Sequence, residues 1–580
     1  MFRHRFVCRL TPRTLLSLLL VAPLLSLGAR HAQAVSCDVG HHAPPTEADK
    51  ALLAGEYDKA ASLYRADLAQ HPASAALTTG LVHALLRQQK IEEAADVVKA
   101  ALATVQDSPP LLTLKGEVQY RQGLPWEAEK SLAQSYKLDP CNPRTRLLSA
   151  RLSRLSSRYA SAREQIVMAH KLDPADPEIS SEWFRTLPLQ QQIAENEAYL
   201  ASPSSEDADD RKRINDRLER LKKQADQPQK ACHLVSSVTN TEIPFVRLMA
   251  DANVQRAVGL DVNLNGKPTQ LEIDTGAGGI LISRTVAERA GLKRLQTIST
   301  GGIGDEGDKP GYTAYADSIR IGNLEFQNCI VDVVDSGNIY GHDQFGRPME
   351  GPDGLIGMDV FSQFLITLDF PAGKLGLGPL PSRPEELDSQ VPSLNSNPSL
   401  TTDIGSQAEA PAAAQPSSPK PVNHGPFDRY VAPEMKDYVP VYRQGHFLIL
   451  PAALNGKTRK LFVIDTGAYR TIISPQAAGE VTKLLRQDAP TGGLSGRVHK
   501  NYVADEITFQ FANLSQMARD VVSFDNSWLS KSTGMEISGF IGANTLNLLT
   551  IHIDYRDGLM KFDYDPKNTY RAITHPYGPS

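Results

Sequence analysis

The sequence predicts a multidomain α and β chain in which an α-helical repeat solenoid precedes two related all-β domains. Three observations carry this expectation. Small residues recur every 34 positions in the N-terminal third, as at Ala60 and Ala94. Short β-type runs broken by glycine take over after about Thr239. One motif, Asp-Thr-Gly-Ala, stands in both β-rich blocks, at Asp274 and at Asp465. A chain of 580 residues is longer than one core organises, so several domains are expected. Its 41% apolar and 22% charged residues are ordinary for folded protein, and a net charge of −5 without a basic stripe argues against a nucleic-acid partner.

The first residues form a leader rather than part of the fold. Arg3, Arg5, Arg9 and Arg13 precede a short apolar run at 15–27, and Ala32-Gln33-Ala34 offers small residues for cleavage. This pattern predicts a signal peptide over 1–34, cut after Ala34, and its apolar run is too short to span a bilayer. A lipid anchor at Cys37 is the alternative, although Ala34-Val35-Ser36 lacks the usual Leu before it. The expected product is exported, periplasmic or secreted, with no transmembrane segment. Removing the leader takes away Cys8 and leaves Cys37, Cys141, Cys232 and Cys329, with no CxxC or His-rich spacing. Neither a metal nor a cofactor is signalled, and free buried thiols are expected ahead of disulfides.

Within the helical third, Ala60, Ala94, Ala128 and Ala162 share one repeat position. Pro72, Pro140 and Pro174 share another, with Gln106 in the missing slot, and Tyr57, Ile91 and Tyr159 share a third, where Pro125 departs. This spacing resembles the tetratricopeptide repeat, as do the segments Ala54-Gly55-Glu56-Tyr57-Asp58-Lys59-Ala60 and Lys137-Leu138-Asp139-Pro140. The resemblance implies paired helices stacked over about 46–204, roughly four repeats and a capping helix. It also implies a concave groove for a peptide or protein partner; a spacer or docking platform without its own ligand is the alternative. Residues 205–238 mix charge signs around a few apolar positions, as in Arg217-Leu218-Glu219-Arg220-Leu221, and read as a solvated connecting helix.

The β-rich blocks cover 239–380 and 427–568. Between them, 381–426 is rich in Pro, Ser, Ala and Gln and reads as a disordered linker. The two blocks align. Each Asp-Thr-Gly-Ala follows an apolar run, and at equal offsets come Ser283 and Ser474, then Thr300-Gly301-Gly302-Ile303 and Thr491-Gly492-Gly493-Leu494. Further on stand Gly354-Leu355-Ile356-Gly357 and Gly539-Phe540-Ile541-Gly542, followed by turn glycines Gly373 and Gly558. Duplication within the chain is the economical explanation.

This framework resembles the retropepsin-like aspartic peptidases. The resemblance implies catalytic roles for Asp274 and Asp465, and hydrogen bonds between Thr275 and Thr466 that hold the two loops together. Gly276 and Gly467 would let backbone amides approach the carboxylates. Gly301, Gly302, Ile303 and Gly304, with Gly492, Gly493 and Leu494, would form substrate-covering flaps. Hydrolysing an amide without a metal or a nucleophilic side chain needs one carboxylate to activate water and one carboxylic acid to protonate the carbonyl. Two adjacent carboxyls that share a proton supply both. The family commonly has Ser or Asp after Asp-Thr-Gly-Ala to support the loop, whereas this chain has Gly278 and Tyr469.

The expected function is therefore an exported aspartic endopeptidase with repeats that recruit substrate or a partner. Its two halves would pair within one chain, although each could instead pair with its twin in another molecule. A non-catalytic protein-binding scaffold that keeps the protease fold is the alternative, and cleavage of its own linker is a further one. Gly302-Ile303-Gly304-Asp305-Glu306-Gly307 formally matches a dinucleotide fingerprint, but Asp308-Lys309-Pro310-Gly311 follows instead of a helix. The loop at 341–348 reads as a surface insertion, and His342 beside Asp343 has no nucleophile motif to serve.

Overall fold

In the computed structural model the described residues are 37, 44–201, 208–226, 232–249, 255–337, 339, 352–384, 427–487 and 491–567. The leader at 1–34, the insertion at 341–348 and residues 385–426 of the linker lie outside them; the linker's first residues, 381–384, are described. Among the described residues no helix is long and apolar enough to cross a membrane.

Helices come first. The pairs are α1 (Glu47–Leu53) with α2 (Tyr57–Gln70), α3 (Ala75–Arg87) with α4 (Ile91–Thr104), α5 (Pro109–Arg121) with α6 (Pro125–Leu138), and α7 (Pro143–Leu155) with α8 (Tyr159–Leu172). Each second helix opens at the repeat position held by Tyr57, Ile91, Pro125 or Tyr159. The repeated alanines Ala60, Ala94, Ala128 and Ala162 are buried, because only a small side chain lets neighbouring helices approach there. Start signals are local. Ser74 and Asn142 accept the amides of Leu77 and Thr145 at 3.3 and 3.0 Å, and Asp176 accepts those of Glu178 and Ile179. Then follow α9 (Pro177–Phe184), α10 (Leu189–Ala201) and α11 (Ala208–Asp226).

The helices meet the β region along a shared apolar cluster. Ala128, Leu132, Leu148, Leu152 and Leu155 join Leu461, Val463 and Phe540 in it. The Arg459 guanidinium lies 4.3 Å from the centre of the Trp126 ring, and the Glu536 amide donates to the Arg121 carbonyl at 2.9 Å. Gly123 sits at φ +68°, where a Cβ would lie 2.3 Å from the Glu536 carbonyl oxygen, so glycine is required for this approach.

The first β half contains β1 (His233–Leu234), β2 (Thr241–Pro244), β3 (Val246–Met249), β4 (Gln255–Leu264), β5 (Lys267–Ile273) and β6 (Ile280–Ser283). It continues through β7 (Lys293–Thr300), β8 (Lys309–Ile321), β9 (Leu324–Val334), β10 (Gly354–Ile356), β11 (Phe364–Asp369) and β12 (Lys374–Pro379). Its main sheet runs β1-β9-β6-β10-β5-β4-β8-β7, and β8 also pairs with β9.

The second half contains β13 (Val439–Pro440), β14 (Tyr442–Gln444), β15 (Phe447–Leu454), β16 (Thr458–Ile464), β17 (Ile472–Ile473) and β18 (Leu484–Gln487). After these come β19 (Thr491–Gly493), β20 (Gly496–Val498), β21 (Asn501–Phe511), β22 (Leu514–Phe524), β23 (Gly539–Ile541), β24 (Leu549–Asp554) and β25 (Leu559–Tyr564). Its sheet, β14-β15-β16-β23-β17-β22-β21-β18, repeats the first arrangement. A third sheet, β13-β25-β24-β11-β12-β2, draws strands from both halves, with β11 and β24 antiparallel at its centre. There Thr367 faces His552 and their side chains hydrogen-bond at 2.9 Å.

Two expectations change. The connecting segment is not helical to residue 238: His233 and Leu234 form β1 on the edge of β9. Cys232 and Cys329 are not free thiols but a disulfide that closes a 97-residue separation and ties the end of the connector to β9. Neither cysteine shows a partner in its local sequence, so only the β1–β9 pairing reveals the bond.

Candidate active site

Each aspartate follows a strand whose final residues are buried. Ile273 on β5 lies parallel to Ile356 on β10, and Ile464 on β16 lies parallel to Ile541 on β23. The Asp274 amide then donates to the Ile356 carbonyl and the Asp465 amide to the Ile541 carbonyl, both at 3.0 Å. The duplicated glycine motifs thus hold both aspartate loops in the same way.

The two loops touch. The Thr275 amide donates to Thr466 Oγ1 at 3.0 Å, and the Thr466 amide returns the same bond to Thr275 Oγ1 at 3.0 Å. Thr275 Oγ1 donates onward to the Ile464 carbonyl at 2.7 Å and Thr466 Oγ1 to the Ile273 carbonyl at 2.8 Å. All four bonds cross between the halves. Asp274 and Asp465 hydrogen-bond each other, and each carboxyl lies over the glycine of the opposite loop. A Cβ on Gly276 would come within 2.8 Å of Asp465 Oδ1, and one on Gly467 within 2.5 Å of Asp274 Oδ2. The Gly276 amide donates to Asp274 Oδ1 at 2.8 Å, and the Ala468 amide to Asp465 Oδ1 at 2.9 Å.

Burial raises both carboxyls above the usual range, and their neighbours separate them. Asp274 keeps amide donors from Gly276, Ala277 and Gly467, which favour its charge. Asp465 is pushed up well beyond it, by burial and then by the adjacent Asp274 charge. The two carboxyls therefore hold a proton as a pair, and its titration belongs to both.

The flap residues meet tip to tip. β7 and β8 flank one tip, which carries Gly301, Gly302, Ile303 and Gly304; β19 and β20 form the other, with Gly492, Gly493 and Leu494 at its end. Ser495 donates its amide to the Ile303 carbonyl at 3.0 Å, accepts the Glu306 amide at 2.9 Å on its own carbonyl, and accepts the Gly302 amide at 3.0 Å on Oγ. Asp305 Oδ2 accepts the His499 amide at 2.7 Å. The apolar tip residues cross over: Ile303 packs with the cluster that contains Ala468, and Leu494 with the one beside Ala277. Gly304, at φ +137°, would drive a Cβ to 2.3 Å from the Ser495 carbonyl carbon, so the crossing itself demands glycine.

Sequence reasoning missed four contributors. Asp359 Oδ1 accepts the Gly279 amide at 2.9 Å, and Asn544 Oδ1 accepts the Thr471 amide at 2.8 Å, so each supports one aspartate loop from its glycine motif. Their matching places after Gly357 and Gly542 were the available signal. Ser495, buried in the flap crossing, adjoins the residues that were identified. His446 had no signal except the gap it fills. Its ring occupies the space beside Gly278, where a Cβ would lie 2.6 Å from Nδ1, and its Nε2 bonds the Gly276 carbonyl at 3.1 Å. The support that Ser or Asp would give from position 278 comes instead from the β14–β15 turn of the other half. Burial pushes this imidazole down to about 4, so it is neutral and its Nε2 carries the proton donated to Gly276.

Residues 260–360 match the aspartyl protease family model. The matched segment takes in Asp274, the first flap and the glycine motif through Asp359. Residues 51–118, within the helical region, match a tetratricopeptide-repeat model. No curated protein matches the chain. Among solved structures, a thermophilic tetratricopeptide-repeat protein from Thermus thermophilus is 18% identical over 29% of this chain and 91% of its own, with a TM-score of 0.24. A retropepsin-like aspartic protease from Rickettsia conorii is 18% identical over 25% of this chain and 92% of its own, with a TM-score of 0.17.

Proposed function

We propose that this chain is an exported aspartic endopeptidase whose dyad is made within one molecule by its two β halves, a pseudo-dimer, while the repeats recruit a protein substrate or partner. One observation carries the reading: Asp274 and Asp465, far apart in sequence, share a hydrogen bond in a site tied by four threonine bonds. A dyad that shares one proton divides the chemistry. The ionised carboxylate takes a proton from water as the water attacks the scissile carbonyl, and the protonated partner gives its proton to the carbonyl oxygen. Proton return to the amine then breaks the C–N bond. The amide, neutral in charge and extended, would lie between the carboxyls and the crossed flap tips, which must part to admit it. The leader supports export, and the repeat match supports a protein partner.

The test is cleavage of a diverse peptide mixture from acidic to neutral pH, read by mass spectrometry. Asp274→Asn and Asp465→Asn should each abolish cleavage that the unmutated protein performs. Undiminished cleavage in either variant would defeat the reading.

A further inference from the structure

The two walls of the cleft are built alike but differ at one residue. In the first half β6 runs parallel to β9, with Leu281 opposite Asp332; in the second β17 runs parallel to β22, with Ile472 opposite Val522. Asp332 and Val522 thus hold the same place in the duplicated framework. Val331 and Val333 point into the main core, so alternation along β9 turns Asp332 to the opposite face together with Val334. On that face Leu281, Val334, Ile339 and Leu355 cluster beneath Ala277 of the aspartate loop and Leu494 of the crossing flap. Thr313, at the base of the first flap, stands opposite Asp332 on its other side.

We infer that Asp332 sets substrate specificity, making the first-half wall of the cleft accept a lysine or arginine side chain while Val522 makes the second-half wall accept an apolar one. This rests on the peptidase reading of the dyad. No hydrogen bond or ion pair engages the Asp332 carboxylate among the described residues, and burial alone raises it to about 6. Its flanking strands offer it no charge. Arg284 and Arg294 are both drawn to Asp335, at 3.1 and 3.9 Å, Tyr315 is bonded to Asn328, and Leu281 and Thr313 are uncharged. A half-buried carboxylate without a partner costs stability, so a purely structural role does not explain it. A cationic side chain reaching down from an extended substrate would supply the missing partner, and the asymmetry with Val522 would orient the peptide.

The experiment compares the unmutated full chain with Asp332→Val and Asp332→Asn on a peptide mixture. A lysine or arginine preference at one fixed position beside the scissile bond is expected, on the order of tenfold over norleucine. It should vanish in both variants, while the melting temperature of Asp332→Val stays level or rises. A preference absent from the unmutated protein, or retained in Asp332→Val, would overturn the inference. A second arm uses the doubly substituted Asp274→Asn, Asp465→Asn chain and fluorescence anisotropy with a lysine peptide and its norleucine counterpart. Tighter binding of the lysine peptide, strengthening from pH 5 to pH 7.5 as Asp332 ionises, supports the inference; equal binding overturns it. Absence of cleavage by the unmutated protein would defeat the peptidase reading and leaves this binding comparison to decide the role of Asp332.

Discussion

Replacing Thr466 with valine removes one oxygen and keeps the shape of the side chain. That oxygen accepts the Thr275 amide at 3.0 Å and donates its proton to the Ile273 carbonyl at 2.8 Å, and both threonines are buried. The substitution therefore takes one partner each from a backbone donor and a backbone acceptor in a place water does not reach. Leaving a buried polar group unsatisfied costs about 1–3 kcal/mol, so the two together predict a loss of roughly 2–6 kcal/mol. The reciprocal pair made by Thr275 Oγ1, to the Thr466 amide and the Ile464 carbonyl, remains and keeps the loss toward the lower part of that range. Urea unfolding followed by circular dichroism measures the change as a shift in midpoint at constant m-value. Thr466→Ser, which restores the oxygen, should recover to within about 1 kcal/mol of the parent. A Thr466→Val protein as stable as the parent would refute the argument that these bonds hold the halves together.

His446 should matter through its neutral form. Its folded-state value near 4 lies below the ordinary 6.5, so the unfolded chain binds more protons between those limits and stability falls as pH drops through that window. The raised dyad carboxyls act in the opposite sense, so the comparison must be subtractive. His446→Gln, which retains a donor for the Gly276 carbonyl, should stabilise the protein at pH 4.5 relative to pH 7 when set against the parent, as read by melting temperature. An unchanged difference would show that His446 does not titrate as its burial implies. Reduction of the Cys232–Cys329 bond, or Cys329→Ala, frees a 97-residue closure and should cost roughly 2–5 kcal/mol by urea unfolding. A loss within error would mean that the β1–β9 pairing alone fixes the connector.

Much of this architecture is legible in short-range pattern. The alanines at 60, 94, 128 and 162 sit where helices touch, and that need for small size imposes the visible period. The duplicated Asp-Thr-Gly-Ala is legible because both copies obey the same local requirement, an amide-lined loop at the end of a buried strand. What escapes is whatever one half supplies to the other. His446 serves a loop 170 residues away, and glycine at 278 reads as a missing support until the ring beside it is seen. Ser495 and Asp305 matter only because the flap tips cross. The cysteine pair and β1 escape for the same reason, since the connector gains its strand from an edge that β9 provides.

The central claim is a dyad formed inside one molecule, and mixing the two inactive variants tests it most directly. Asp274→Asn and Asp465→Asn chains, unfolded and refolded together, can rebuild an intact Asp274–Asp465 pair only between molecules. Peptide cleavage by the mixture is measured beside the parent, with molecular mass recorded for each. The expected result is an active parent of monomer mass and an inactive mixture. Activity recovered in the mixture, with a dimer mass in the parent, would contradict it.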